Sequence, residues 1–210
     1  MLGKYRVRSA VALALMIAQA FLFNAVFFSY GLVLSSFYGV PETRTGTHLL
    51  LLAISNFLGP LALGTFFDTI GRRVMISLTY AAGGALLVTA ALIFGFNGFS
   101  DWTQTFAFML VFFFASAGAS SAYLTASEVF PLETRALAIA TFYAVGTAIG
   151  GVVAPLLFGI LLSTHSPWPL VGGYILAAVL MIGAAIVEAF FGVDAEGRSL
   201  EEIADPLSAS

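Results

Sequence analysis

Most of the charged residues in this 210-residue chain's interior lie in two short stretches, "GTFFDTIGRR" (64–73) and "SEVFPLETRA" (127–136). Each stretch combines carboxylates with guanidinium groups and is flanked by long apolar runs. Opposite charges at neighbouring helix ends can pair and can separate again when the helices move. We therefore predict a releasable charge network, and its members are Asp68, Arg72, Arg73, Glu128, Glu133 and Arg135.

The positions of these charges relative to the predicted helices favour pairing between helix ends. Asp68 ends the second predicted helix and Glu128 ends the fourth, where the helix dipole disfavours a carboxylate. Arg72 and Arg135 begin the helices that follow, where the dipole disfavours a cation. The preference of positive charge for the cytoplasmic side explains the two arginines but not the two carboxylates. Tertiary ion pairs at one end of the bundle account for both.

Uncharged polar side chains form a second candidate group, made of Gln19, Asn24, Asn56 and Tyr123. An amide in apolar surroundings is costly unless it is hydrogen-bonded, so these amides must face protein or a wet cavity. Gln19 and Asn24 are five residues apart, about 140° around a regular helix. Both can bind one ligand only if the helix is unwound there or the ligand is broad. Interhelical hydrogen bonding is the alternative for the amides, and simple packing is the alternative for Tyr123.

Composition identifies the class of protein. The chain is 60% hydrophobic and only 9% charged, whereas a soluble domain averages about 25% charged residues. This predicts an all-α integral membrane protein in contact with the lipid bilayer. The chain has no Cys, no basic run and no visible Ser–His pair or metal-ligand set. We therefore expect no nucleic-acid partner, no metal, no cofactor and no enzyme activity.

Six apolar segments are long enough to span a bilayer, which needs about 20 residues. Their apolar runs are continuous, without the half-polar alternation of a lipid-facing barrel strand, so helices are predicted. The predicted spans are Ser9–Phe37, His48–Phe67, Val74–Phe96, Thr103–Ser127, Ala136–Leu162 and Leu170–Phe191.

Lys and Arg counts in the short loops predict the orientation. With the N-terminus in the cytoplasm, seven of the eight Lys and Arg residues lie inside, and only Arg44 lies outside. Such a bias predicts both termini in the cytoplasm. The expected organisation is a cytoplasmic segment 1–8, a six-helix transmembrane domain 9–191 and a cytoplasmic tail 192–210. Within the tail, Ser199 and Glu202 form a capping box that favours a short helix.

Small residues and one proline mark the fifth segment. Gly146 and Gly150 form a G-x-x-x-G pair, which lets helix backbones approach closely in lipid. Pro155 is expected to kink this helix and to free a backbone carbonyl. Packing alone is the alternative role for each glycine.

Proton binding in mid-membrane would need an ionisable group there, and none is found in the middle of a predicted span. Glu188 lies within a turn of the inner end of the last span, where a snorkelling side chain is expected. His48 and His165 are expected at the outer face. If the function of the chain depends on proton binding, we expect the carboxylate that carries the proton to lie in a second protein half that pairs with this one.

Four motifs together resemble the major facilitator superfamily. "GTFFDTIGRR" fits the G-x-x-x-D-x-x-G-R-R/K signature of that superfamily, and "SEVFPLETRA" resembles the E-x-F-P-x-x-x-R motif of its sugar-porter and metabolite–proton symporter branches. "QAFLFNAVFFSY" resembles the sugar-porter motif Q-Q-x-x-G-x-N-A-V-x-Y-Y, and "EGRSLEEI" resembles the start of the helix after the last span. Their order matches the second half of a twelve-helix transporter.

The resemblance implies a fold and a function. The fold would be half of a twelve-helix major facilitator, built as a 3+3 inverted repeat. The function would be alternating-access transport of a small polar metabolite, with Gln19, Asn24, Asn56 and Tyr123 near the substrate and the charge network acting as a gate. The expected location is the plasma (inner) membrane.

The substrate and the assembly stay open. The paired Gln of sugar porters is Ala18 and Gln19 here, and their two Tyr are Phe28 and Ser29, so an organic acid is as compatible as a sugar. The expected partner is a second six-helix half or a second copy of the chain as a homodimer. A truncated fragment that does not transport is the alternative, and uniport, symport and antiport are all compatible with the sequence.

Overall fold

The computed structural model describes residues 5–128, 130 and 132–193, with only the backbone described for Glu128 and for residues 132–134. The predicted tail helix and the side chains of Glu128 and Glu133 therefore lie outside the described residues. The described helices are α1 (Arg6–Tyr38), α2 (Glu42–Thr69), α3 (Arg72–Gly95), α4 (Asp101–Glu128), α5 (Leu132–Ala148), a π-helical segment (Ile149–Val153), α6 (Ala154–Ser163) and α7 (Pro167–Phe191).

The predicted all-helical membrane architecture is confirmed. The described residues contain six helical stretches long and apolar enough to cross a membrane, and none of them forms a strand. The helices extend beyond the apolar runs, and α2 begins at Glu42 rather than at His48. The extension has a simple cause, because helical hydrogen bonding does not stop where hydrocarbon gives way to water.

The fifth span is interrupted where the proline was expected to disturb it. The helix changes to π-helical geometry over Ile149–Val153 and becomes α-helical again at Ala154. Pro155 has no backbone N–H to bond the carbonyl of Gly151, and its ring crowds the preceding turn. A π-helical turn relieves this crowding by inserting an additional residue into the turn.

The helices pack around α1, α3 and α4. The α3 helix lies along α7 and α4, α2 lies along α4, and α1 contacts α7, α5, the π-helical segment and α6. The buried core between them is rich in aromatic rings, including Phe108, Phe112 and Tyr174. By contrast α2 and the α5–α6 stretch are the least buried of the six spans and expose long rows of apolar side chains.

Glycines stand where helix backbones touch. A methyl group added to Gly150 would lie 2.5 Å from the backbone carbon of Ala20 and the backbone nitrogen of Phe21 in α1. One added to Gly146 would lie 2.9 Å from the Cβ of Met16, also in α1. The G-x-x-x-G pair is therefore the surface on which the fifth span meets the first. Only glycine permits backbones this close.

We expect Gly150→Ala to destabilise the bundle, by the ~1–3 kcal/mol typical of overpacking, because the new methyl group meets backbone atoms that cannot move aside. Gly151→Ala is the matched control, since its methyl group would lie 3.5 Å from the Thr147 side chain, an ordinary contact. Thermal melting of the purified chain in one detergent compares the two variants. Equal melting temperatures for both would show that the α1 contact does not depend on Gly150.

Candidate functional site

A polar recess lies near the middle of three helices. Gln19 of α1, Asn56 of α2 and Ser116 of α4 line a recess of about 30 Å³, together with the rings of Phe23 and Phe112. Complete small-molecule pockets enclose ~300–1,000 Å³, apolar walls with a few placed polar groups. This recess has such walls and polar groups, but it is smaller than a complete pocket and open on one side.

The amide of Gln19 is positioned by Tyr123. The Nε2 atom of Gln19 donates a hydrogen bond of 2.6 Å to the Tyr123 hydroxyl, which joins α1 to α4. The Tyr123 ring in turn lies 6.1 Å from the ring of Tyr143 in α5, centroid to centroid. Three helices thus meet at this hydrogen bond.

Asn24 does not join this group. Its Nδ2 atom donates a hydrogen bond of 2.7 Å to the backbone carbonyl of Ala20, one turn earlier in its own helix. The α1 helix is continuous past both residues, so the 140° separation predicted from their spacing is not removed by unwinding. The structure brings together Gln19, Asn56 and Tyr123 from the predicted set.

The α2 and α4 helices run in the same direction and touch beside this recess. The Ser55 hydroxyl donates a hydrogen bond of 2.5 Å to the backbone carbonyl of Met109. One turn further, a methyl group on Gly59 would overlap the carbonyl oxygen of Phe113. We call this line of contacts the α2–α4 seam.

A second recess, of about 160 Å³, opens beyond the seam at the end where α2 meets α3. Its polar lining is Asp68 and Arg72, with Ser120 and Ser121 of α4. The Arg72 guanidinium lies 3.4 Å from the Asp68 carboxylate, with 15% and 69% of the two side chains exposed. The pair spans the break between α2 and α3, so two members of the predicted charge network meet here.

The other cations of the predicted network lie elsewhere at this end of the bundle. Arg73 donates hydrogen bonds of 3.0 and 2.5 Å from Nε and Nη2 to the backbone carbonyl of Ala189, near the C-terminus of α7. A cation is favoured there by the helix dipole. The Nε atom of Arg135 is buried and bonds to none of the described residues. The side chains of Glu128 and Glu133 lie outside the described residues, so their part in the network stays a prediction.

Two buried ionisable side chains were not expected from the sequence. Glu188 is 1% exposed, so the expected snorkelling is wrong, and it lines a small recess of about 20 Å³ with Arg8 and Thr125. His48 is also 1% exposed and contacts α4; it lies near the start of α2, the end predicted to be the outer face, but its burial there was not expected. Both residues pack against helices distant in sequence, and the local sequence gives no sign of that contact.

Comparison with known proteins identifies the kind of protein. A search of curated proteins found no match. The model of the family described as "Sugar (and other) transporter" matches residues 1–206. The match covers nearly the whole chain and agrees with its six membrane-length helices. The chain belongs to the sugar (and other) transporter family.

Proposed function

We propose that this chain is one half of an alternating-access transporter for a small polar metabolite, a sugar or an organic acid. The mid-membrane recess carries the proposal, because Gln19, Asn56 and Ser116 converge there from the middles of three helices. Amides and hydroxyls offer donors and acceptors to substrate hydroxyl or carboxyl groups without a buried charge. As half of a major facilitator, the chain would bind its substrate between two six-helix units.

The least buried helices support a partner on the open side of the recess. Asn56 lies on α2, which exposes Phe57 and Leu61, and Tyr143 lies on α5, which continues into the π-helical segment with its exposed Val152. Lipid could cover these apolar side chains, but it could not satisfy the amides at the recess edge. A second six-helix half, or a second copy of this chain, would cover the exposed apolar side chains and the amides at the recess edge.

The proposed orientation has both termini in the cytoplasm of a plasma (inner) membrane. It follows from the Lys and Arg bias of the loops and includes segment 1–8 and tail 192–210 on the cytoplasmic side. The Asp68–Arg72 end of the bundle would then face the cytoplasm. Alternating access would require this end to open and close while the mid-membrane recess keeps its substrate.

The homodimer form of the proposal can be tested with a tandem fusion. Six spans return the chain to the side on which it began, so two copies joined by a flexible linker keep one orientation. In proteoliposomes with less than about one polypeptide per vesicle, we expect the tandem protein to take up radiolabelled sugar or organic acid. The unlinked chain at equal density is the control and is expected to be inactive. Equal uptake by isolated single chains would reject the half-transporter proposal.

A site variant tests the recess itself. We expect Asn56→Ala in the transporting unit to raise the KM for uptake about two- to tenfold, the effect of losing one hydrogen bond of ~0.5–1.5 kcal/mol. Ile54→Ala is the control, because Ile54 is an exposed residue of the same helix and does not line the recess. An unchanged KM in the Asn56 variant would place the substrate elsewhere.

The gate assignment of Asp68 is tested by separating transport from stability. Asp68→Asn should leave the melting temperature nearly unchanged, since an exposed ion pair contributes ~0–1 kcal/mol. Its uptake rate should fall about fivefold or more if the pair couples the helix ends, from a coupling energy of ~1–3 kcal/mol. Glu42→Gln, an exposed carboxylate at the other end of α2, is the control. Full activity of the Asp68→Asn variant would contradict the gate role and leave Asp68 with a role only in the orientation of the chain in the membrane.

A further inference from the structure

Two exposed apolar stripes run side by side along α3 and α7, which pack on each other. The exposed side chains recur at helical intervals, so those of each helix share one face. They include Val74, Leu78 and Leu92 of α3, and Leu176, Val179 and Ile186 of α7. We call this surface the α3–α7 face. It contains none of the residues that line the mid-membrane recess, which come from α1, α2 and α4.

The α3–α7 face offers no polar group in need of a partner. Its exposed polar residue on α3 is Thr89, whose hydroxyl donates a hydrogen bond of 3.0 Å to the backbone carbonyl of Ala85. The exposed positions of α7 between Trp168 and Glu188 are all apolar. Acyl chains can cover such a surface at no cost, because they do not have to satisfy donors or acceptors.

An aromatic pair lies at the end of this face where α3 ends and α7 begins. The ring of Trp168 lies 5.2 Å from that of Phe96, centroid to centroid, with the planes inclined at 89°. The indole also covers Gly95, where an added methyl group would lie 3.4 Å from two of its ring carbons. Trp168 is 49% exposed and Phe96 73%, so each ring rests on the bundle and presents its other side outward.

The opposite end of the same face carries a cation. The guanidinium of Arg73, at the start of α3, donates hydrogen bonds to the backbone carbonyl of Ala189 in α7. Residues 169–187 contain no charged side chain, and Glu188 follows Trp168 by twenty residues. Twenty residues of α-helix rise ~30 Å, which is the thickness of a bilayer's hydrocarbon core, ~30 Å. The aromatic pair and Arg73 are therefore about one hydrocarbon thickness apart.

The chemistry of the aromatic pair suits the boundary between acyl chains and headgroups. An indole has a broad apolar body and one N–H donor, so it is best placed where hydrocarbon meets the ester carbonyls of lipid. The ring of Phe96 has no polar atom, and its exposure to water would cost ~25 cal/mol per Å² of apolar surface. One side of the boundary accepts the phenyl ring, and the other accepts the indole N–H.

We propose that the α3–α7 face contacts lipid acyl chains along its length, and that Phe96 and Trp168 bind the headgroup boundary of one leaflet. Arg73 then lies at the boundary of the other leaflet. Its neighbour Arg72, the partner of Asp68, lies at the same depth, so the recess with the charged pair opens among headgroups rather than in hydrocarbon. The proposal does not depend on the transport proposal, since it concerns one folded chain.

Quenching of tryptophan fluorescence by brominated lipid measures the depth of the aromatic pair. The chain has two Trp residues, so Trp102→Phe leaves Trp168 as the one emitter. The full chain is reconstituted in phosphatidylcholine vesicles that carry bromine either near the ester groups or near the ends of the acyl chains. We expect bromine near the ester groups to quench Trp168 more strongly, and aqueous iodide to quench it weakly.

A matched reference places the emitter in the middle of the same face. It is Val179→Trp in a chain that also carries Trp102→Phe and Trp168→Phe. Val179 is exposed and follows Trp168 by eleven residues, a rise of ~16 Å, which is about half of the hydrocarbon core. In this variant we expect the reverse order, with stronger quenching by bromine near the ends of the acyl chains.

Three results would overturn the proposal. The same order of quenching for Trp168 as for the Val179→Trp reference would place the aromatic pair inside the hydrocarbon. Strong quenching of Trp168 by iodide, with none by either lipid, would place it in water. No lipid quenching of the folded Val179→Trp reference would show that a second copy of the chain covers the face. If Trp102→Phe does not fold, the difference in emission between the parent and Trp168→Phe gives the same depth.

Discussion

Close backbone contact through glycine is the constraint on which the rest of this bundle depends. Hydrocarbon provides no hydrophobic drive for one helix to join another, so dispersion contacts between closely packed surfaces must hold the helices together. Gly150 lets the fifth span meet α1, Gly59 lets α2 meet α4, and Gly84 brings α3 within contact of Ala178 in α7. Gly118 of α4 lies on Tyr80 of α3 in the same way. These contacts join the fifth span to α1 and join α2, α4, α3 and α7 to one another, and the packing of α1 along α7 connects the two groups.

The same close contacts determine where a recess can form. The α2–α4 seam at Ser55 and Gly59 lies next to two openings: the first is bordered by α1, α2 and α4, and the second lies further along α2 and α4, toward the start of α3. The one in the middle of the helices presents neutral amides and hydroxyls. The one at the end presents the Asp68–Arg72 pair. The seam therefore lies between the recess that carries neutral polar groups and the recess that carries the charged pair.

The sequence predicted all six membrane spans but only some of the contacts between the helices. Apolar runs of membrane length located all six spans, and the G-x-x-x-G spacing located the surface on which the fifth span meets α1. Both signals depend on residues that are close together in the chain, so they can be recognised from the sequence alone. The burial of His48 and Glu188 depends on neighbours more than fifty residues away, and no local pattern encodes it. The hydrogen bond between Gln19 and Tyr123, 104 residues apart, was anticipated only through the types of the residues.

The distribution of charge along the helices agrees with a bundle whose ends move more than its middle. An ion pair at a helix end can exchange its partner for water when the end opens, so breaking the exposed Asp68–Arg72 pair costs ~1 kcal/mol or less. In the middle no water is available for such an exchange, and a broken polar contact costs its full desolvation penalty.

A neutral hydrogen bond in the middle, such as that from Gln19 to Tyr123, should therefore either stay formed or be replaced by a hydrogen bond to a ligand. A substrate that offers hydroxyl or carboxyl groups to Asn56 and Gln19 would supply the polar partners that an empty, closed recess lacks. A bound substrate would then lower the free energy needed to close the recess, so that substrate binding would be coupled to movement of the charged helix ends. None of the described residues that line the recess is charged.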